Sequence, residues 1–540
     1  MRKHKILLSI LDFFMVAIDI LMLYNSTGNY GVHPGKEKLC PMKKKVLALA
    51  ILAITLVLAI AIVIGINLRK SQIPNEEDFI LARYEKRESM TERPEGPLMS
   101  TQFINSTMQE FLCAGETRQN RVYTPINLYG AIASLAAMSE GETKAQLAGI
   151  LGEEDIERVR QTVIFFNERH NEAAKEGGAG VSLGSSLWMT EKISVAEEKI
   201  KELSTDYCMD LFQGDFTRAK PLAMQWLTKK SLGQSFTMDP LSLEDENYKD
   251  KQAAILLSAF AFKMNWKEKF TQENTSDHVF HALQGDMSAP FMSSMRTMTY
   301  YRGDHFGAAY LPFEDESYSM WFFLPEEGMS PEELLTDSQF SALLLEGTVT
   351  DVVKEEECIL HLGIPKFKIE DEVDIKPHLE SLGAVDLFDA KNAYFPDFII
   401  EGGKLVANTA KMEINFEIDE KGAKALSFVK AVLEDTPIAG RPVVLNTRDF
   451  ILDRPFICAV KDNNNVPLLV GIVEEPSTGE SGSLEPLPQK ETILVSEDGI
   501  VSREVKKTYK DGVLTIEENI IYADGSYSKK TITKTKSKKR

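Results

Sequence analysis

A segregated α+β fold is what the sequence predicts, on three observations. In the first part of a long globular block, apolar residues fall at helical spacing, with Thr124-Pro125 leading into Leu128, Ile132, Leu135 and Ala136. Strand-like runs follow at residues 255–263, 319–324, 359–369 and 411–419, with few helices between them. The two patterns do not alternate in the regular way that a βαβ chain requires.

Composition bounds the function. Hydrophobic residues at 43% and charged residues at 26% are ordinary globular values and exclude a mainly disordered or collagen-like chain. A length of 540 residues allows about three domains, or one large domain with appendages. The net charge of −20 argues against nucleic acid as a partner, because neutralising phosphates needs clustered Lys and Arg. Cys40, Cys113, Cys208, Cys358 and Cys458 are too few for a disulfide scaffold, and without a CxxC they do not suggest a zinc ribbon.

Residues 46–66 (VLALAILAITLVLAIAIVIGI) carry no charge. As a helix they would span roughly 31 Å, the thickness of a bilayer's hydrocarbon core. They therefore predict a transmembrane helix or signal-anchor. Lys43, Lys44 and Lys45 precede it, while Glu76, Glu77 and Asp78 follow soon after. The positive-inside rule then puts residues 1–45 in the cytoplasm and the rest of a single-pass chain on the extracellular face. A secreted chain with a cleaved signal is the alternative, although the apolar run is longer than a signal core. The upstream stretch 6–24 holds Asp12 and Asp19, which makes a second span doubtful. Met42 followed by three lysines resembles a fresh export signal, so residues 1–41 also read as an upstream start-site artefact.

Residues 67–97 are polar and contain Pro74, Pro94, Gly96 and Pro97, the composition of a linker. The globular block spans 98–476, and 477–488 form a second linker rich in Pro, Gly, Ser and Glu. From 489 to 540 the chain repeats itself, with Asp498-Gly499, Asp511-Gly512 and Asp524-Gly525 spaced 13 residues apart. Asp-Gly between β-prone runs signals a hairpin, because both turn positions need φ > 0. Three such turns predict a small four-stranded β-meander. The last thirteen residues hold seven Lys or Arg and no acid, which reads either as a solvated end or as a contact with anionic cell-wall polymer or lipid.

The chain contains no GxSxG, HExxH, GxxxxGK[ST] or EF-hand loop. His278 and His281 are three apart, flanked by Val279 and Phe280 in a strand-like context, and lack a third ligand nearby. Gly177-Gly178-Ala179-Gly180 lacks the strand-to-helix frame of a dinucleotide loop and reads as a connection. The block is therefore expected to be no enzyme and to need no metal or cofactor.

The most informative region follows residue 419. A charged strand gives way to small residues at Glu420-Lys421-Gly422-Ala423-Lys424-Ala425, then to a long polar stretch containing proline. Two apolar strands, 450–460 and 468–473, close the block, separated by Asp462-Asn463-Asn464-Asn465. A connection of roughly 30 residues between strong strands is far longer than ordinary loops, and such loops are usually functional or disordered.

Here the sequence resembles the serpins, the serine-protease-inhibitor family. Residues 450–460 (FILDRPFICAV) fit the family signature at every position, and 467–476 (PLLVGIVEEP) fit its closing strand and terminal proline. Thr124-Pro-Ile-Asn-Leu resembles the start of a core helix, and Gly141-Glu-Thr-Lys-Ala-Gln-Leu the GxTxxQL segment. Residues 259–270 resemble the strand bearing the family's tryptophan, here Trp266. The resemblance covers about 98–476.

It implies a serpin fold of three β-sheets and eight to nine helices with an exposed reactive loop. It also implies a target serine or cysteine protease as partner, trapped when the cleaved loop inserts into the large sheet. Insertion needs small uncharged side chains at alternate positions and a flexible pivot. Glu420 and Gly422 match the hinge, with Ala423, Ala425 and Ser427 inward and Lys424, Leu426 and Phe428 outward. Family spacing from Glu420 puts the scissile bond at Asp435 or Thr436, whereas counting back from the following strand lands near Val444. The hinge count is preferred because insertion depends on that length. Arg441 is disfavoured by Pro442. The family's polar cluster at the sheet-opening region (serine, asparagine and histidine) is met here by Asn127, Ser258 and Met412, so that network is rebuilt or lost. The rival reading is a non-inhibitory serpin-fold surface binding or adhesion protein whose repeat tail does the work.

Overall fold

The computed structural model describes residues 74–85, 92–113, 119–171, 180–232, 241, 253–347, 353–400, 404–423 and 446–478, and the backbone of four strands between 489 and 535. Two compact units divide the chain at Met1–Asn75 and Glu76–Arg540, and the elements named here all belong to the second. The apolar run 46–66 lies outside the described residues. Among those described, no helix is long and apolar enough to cross a membrane.

A short strand β1 (Ile80–Ala82) precedes a helical group: α1 (Thr101–Cys113), then β2 (Arg121–Tyr123), α2 (Pro125–Met138), α3 (Gly141–Leu151) and α4 (Ile156–His170). Pro125 opens α2 at a position where its missing N–H costs nothing. Gly152 ends α3 in the left-handed region with φ 63°. Asp155 caps α4 by accepting from the Glu157 amide at 3.0 Å. α2 is buried nearly all round, because it runs between the sheets and packs against strands of both.

The chain continues as β3 (Gly180–Met189), β4 (Ile193–Val195), α5 (Glu197–Asp206), β5 (Met209–Gln213) and α6 (Phe216–Lys230). β6 (Ala254–Asn265), β7 (Thr275–Ala282), β8 (Gly285–Arg302), β9 (Phe306–Pro312) and β10 (Tyr318–Pro325) come next. The short helices α7 (Pro331–Leu334) and α8 (Ser338–Leu345) lead to β11 (Lys354–Pro365), β12 (Phe367–Asp374), α9 (Lys376–Ser381), β13 (Phe398–Ile400) and β14 (Lys411–Ile418). The two-residue β15 (Gly422–Ala423), then β16 (Thr447–Ile451), β17 (Phe456–Asp462) and β18 (Pro467–Val473), complete the domain.

These strands form one seven-stranded sheet in the order β1-β5-β3-β6-β15-β14-β12. A second, nine-stranded sheet runs β16-β11-β8-β9-β10-β17-β18-β2, with β7 paired to β8 off this path. Its two halves are joined where Tyr301 and Arg302 of β8 pair with Ala308 and Gly307 of β9. β4 and β13 form a separate pair. One continuous core joins the layers, with Trp266, Tyr123, Tyr129 and Phe103 among its largest buried side chains. The α+β expectation and the serpin architecture are both met.

Two expected strands are each broken in two. Residues 359–369 divide between β11 and β12, with the Lys366 amide donating to the Pro290 carbonyl at the step from one sheet to another. Residues 450–460 divide at Pro455, which has no N–H to give a ladder. There β16 leaves β11, Arg454 donates from Nη2 to the Pro325 carbonyl at 2.8 Å, and β17 enters between β10 and β18. The stretch read as a linker before residue 98 contains β1 on the edge of the large sheet.

The tail forms β19 (Gln489–Ile493), β20 (Ile500–Lys510), β21 (Val513–Tyr522) and β22 (Tyr527–Thr535), each paired antiparallel with the next. This is the meander that the Asp-Gly spacing predicts, although the turn residues themselves lie outside the described residues.

Candidate functional site

At the end of β14 the chain turns back on itself. The Asp419 carboxylate accepts from the Lys421 amide at 2.8 Å and the Gly422 amide at 3.2 Å, and the Asp419 amide donates to the Gly422 carbonyl at 3.0 Å. The turn delivers β15 antiparallel to β14, with Ala423 opposite Ile418. β15 is also antiparallel to β6, where Gly422 faces Asn265 and Ala423 faces Met264. Two residues therefore sit between two strands, β6 and β14, that are parallel to each other.

Glycine is required at 422 for space. A Cβ there would lie 2.1 Å from the Met264 carbonyl oxygen, which is backbone and cannot swing away. Trp266, fully buried, braces the turn from the β6 side: its amide donates to the Lys421 carbonyl at 2.8 Å and its Nε1 to the Asp419 carbonyl at 2.9 Å. Its ring stacks on Phe313 with centroids 4.9 Å apart.

Glu420 is pinned from outside the turn. Thr275 Oγ1 donates to its Oε1 at 3.0 Å, Lys366 Nζ stands 3.4 Å from the same oxygen, and the Phe270 amide donates to its carbonyl at 2.9 Å. Burial pushes its carboxyl up, but its own backbone amide, Thr275 and Lys366 outweigh that and hold it below the usual carboxylate value. Glu420 is thus an ionised strut at neutral pH.

Below β15, no described strand lies between β6 and β14. Among the described residues, β6 and β14 are linked only through Gly422 and Ala423. β3, paired on both sides, is buried along nearly its whole length, whereas β6 is half-buried from Ala254 to Ser258 and again at Phe260. A central strand exposed in this way marks a vacant place beside it. On the other wall, Met412, Ile414, Phe416 and Ile418 of β14 all point into the core.

A polar cluster lines the slot midway. Ser258 Oγ donates to Asn127 Oδ1 at 2.7 Å, Asn127 Nδ2 returns a bond of 3.4 Å to the Ser258 carbonyl, and Ser185 Oγ lies 3.3 Å from Ser258 Oγ. Across the slot, Thr124 Oγ1 stands 3.9 Å from Met412 Sδ. The network is rebuilt: with methionine in place of the histidine, Ser258 turns to Asn127 on α2 and Ser185 on β3.

Of the residues expected at the site, Glu420, Gly422 and Ala423 come together here, whereas Ala425, Ser427, Asp435 and Thr436 lie outside the described residues. Sequence reasoning missed Thr275, Lys366 and Ser185, since each meets its partner from at least 54 positions away. Other flagged residues fall elsewhere. His278 bonds Ser276 and His281 bonds Asp286, both on the β7–β8 hairpin. No group of three His, Cys, Asp or Glu suited to a metal occurs among the described residues. Cys113, Cys358 and Cys458 are free thiols.

Fold and hinge together define a class: α+β proteins whose large sheet, among the described residues, joins two parallel strands only through a two-residue strand. The chain belongs to the serpin family, whose model, described as "Serpin (serine protease inhibitor)", matches residues 100–476. Serpin-ZX of Arabidopsis thaliana is 24% identical over 375 residues, 66% of this chain and 92% of that protein. Plasminogen activator inhibitor 1 of Bos taurus is 23% identical over 390 residues, 70% of this chain and 92% of that protein. Among solved structures, the thermophilic serpin tengpin in its native state superposes with a TM-score of 0.59 at 22% identity, covering 73% of this chain and 97% of tengpin. A thyroxine-binding globulin complex with thyroxine gives 0.56 at 17%, covering 70% and 99%. At these identities the structures speak for the fold alone.

Proposed function

We propose that this chain is a suicide-substrate inhibitor of serine or cysteine endopeptidases. Its loop after Ala423 is bait, and after cleavage it fills the slot between β6 and β14 with the acylated protease attached. The observation that carries this reading is the register of β15. Each further residue inserted steps one place back along β6, so Ala425 would meet Phe262, Ser427 Phe260, Val429 Ser258, Ala431 Leu256 and Leu433 Ala254. On the other wall, Ala425, Ser427 and Val429 would meet Phe416, Ile414 and Met412. Every residue of this inward set is uncharged, as burial against that core demands.

Ala254 is the first residue of β6, so Leu433 is the last inward residue with a partner on that wall. Asp435 is the first charged residue of the set and falls past the strand's end. The insertable run therefore stops about where the hinge count puts the scissile bond, at Asp435–Thr436. Insertion also replaces an open gap between parallel strands by two antiparallel ladders, the stronger pairing per residue.

The inhibitor domain is read as 98–476, carried on a membrane helix at 46–66 with the domain on the extracellular face. The basic end of the tail, its last thirteen residues, is read as a second contact with an anionic cell-wall or lipid surface. Membrane fractionation of the full chain tests the first assignment, and a pellet that releases the protein in high salt without detergent overturns it.

The inhibitory reading is tested by incubating the protein with a panel of serine and cysteine endopeptidases. A one-to-one adduct that survives boiling in SDS, with the loop cut mapped to 435–436 by mass spectrometry, is expected. Cleavage without any adduct, and without a gain in heat stability, would instead favour a non-inhibitory surface-binding serpin. A cut after Arg441 would move the scissile bond but leave the mechanism.

A further inference from the structure

Residues 76–85 lie upstream of everything used above. A 3-10 turn at Glu76–Asp78 presents Phe79 and then β1, which pairs antiparallel with β5: Ile80 faces Phe212 and Ala82 faces Leu211, with an irregularity between them. β1 is thus the outermost strand on the side of the large sheet away from β14.

The attachment is specific. Phe79 is 4% exposed, and its ring fills the space above Gly214, where a Cβ would lie 2.5 Å from it. The Arg218 guanidinium, in the first turn of α6, stands over the same ring at 5.4 Å. The Gln213 amide donates to the Phe79 carbonyl at 2.7 Å. On β5, one oxygen of Asp210 accepts from the Tyr84 amide at 3.0 Å, and the other accepts from Trp226 Nε1 of α6 at 2.7 Å. Arg83 pairs with Glu76 and closes the segment on itself. One short strap therefore fastens the edge strand β5 and the helix α6 together.

α6 lies on β3 and β6, and β6 is one wall of the slot. Admitting a strand beside β6 widens the sheet by about 4.8 Å, one strand spacing. Relative to β14 and β12, the strands β6, β3 and β5 must then shift toward the edge that the strap covers, and α6 must ride or lift with them. A three-residue strand held by one aromatic anchor is among the least costly pieces of such a domain to undock.

We infer that the strap 76–85 restrains opening of the large sheet, and that its release at Phe79 eases entry of a strand between β6 and β14. The inference rests on the slot being the place where the loop inserts. It is tested on the full chain with a synthetic acetylated peptide of residues 423–433, following uptake by the rise in thermal midpoint. Amide exchange over 209–213 and around Trp226 is read in parallel.

Phe79→Ala is expected to take up the peptide at least about fivefold faster than the parent and to raise exchange in both segments, with Phe79→Leu close to the parent. Tyr84→Pro, which deletes the N–H given to Asp210 together with the Tyr84 side chain and fixes φ at 84, is expected to act in the same direction and serves if Phe79→Ala does not fold. Uptake within about twofold of the parent, despite raised exchange over 209–213, overturns the strap alone. Refusal of the peptide by parent and variants alike, with no heat-stability gain on loop cleavage, overturns the slot reading beneath it.

Discussion

At Gly422 a single missing Cβ decides whether the chain can return between β6 and β14. Gly422→Val would push on the Met264 backbone, at a cost on the order of 1–3 kcal/mol for overpacking. The expected result is faster amide exchange at 422–423 and a smaller heat-stability gain after loop cleavage; an undiminished gain would contradict it. A different residue governs acid response. Glu474 shares Arg121 with Glu332, and its side chain is 1% exposed. Burial, then the neighbouring Glu332 charge, push its carboxyl up to about 7 against an ordinary 4.5. The folded state thus holds an extra proton between those values, so this contribution is fully present below pH 4.5 and lost as pH rises through about 7. Glu474→Gln is expected to remove that falling limb and to raise the thermal midpoint at pH 8 by roughly 2–4 °C. Melts of the two proteins across pH 4–8 decide it, and parallel curves would refute the assignment. Lys461, pushed down to about 7 by burial over the Trp321 ring, acts in the opposite sense above neutrality.

At the scale of elements, the β14–β15 hairpin sets an alternation for everything downstream. On the proposed insertion, inward positions would face the apolar walls of the slot, so a charge placed there would be buried without a partner at a cost of several kcal/mol. Ala425→Asp or Ser427→Arg is expected to turn the inhibitor into a substrate: the protease still cuts, but the SDS-stable adduct falls by an order of magnitude or more. Lys424→Ala, at an outward position, is expected to leave the adduct yield unchanged, and equal losses at 424 and 425 would mean that the register is wrong. Where strands begin and end was less legible than that they exist. The runs 359–369 and 450–460 are continuous in apolar patterning, yet the first crosses from one sheet to another and the second changes ladders within one sheet. Side-chain alternation survives such a crossing, whereas the change of hydrogen-bond partner leaves no mark on composition. Pro455 was the one local sign, and it was absorbed into a motif match.

For the whole molecule, insertion as proposed would make the intact native state less stable than the cleaved, inserted arrangement of the same chain. Filling the slot would add ladder bonds along β6 and β14, each worth about 1 kcal/mol net. Even after the entropy of ordering the loop, the cleaved protein is expected to melt at least about 10 °C above the intact one. Equal midpoints would show that the sheet does not accept the loop. The sequence by itself determined the α+β class, the family and the meander in the tail, and it singled out Glu420, Gly422 and Ala423, which the structure brings to one turn. Those rest on local patterns: period-2 alternation, Asp-Gly turns, and a motif packed into consecutive positions. Only the tertiary structure decided that β6 and β14 are held apart, that Thr275 and Lys366 clamp Glu420, that Ser185 completes the Asn127–Ser258 network, and that residues 76–85 strap the far edge of the sheet. Each of these is a contact between residues distant in the chain, and the free energy of such a contact depends on a partner that no local window of sequence contains.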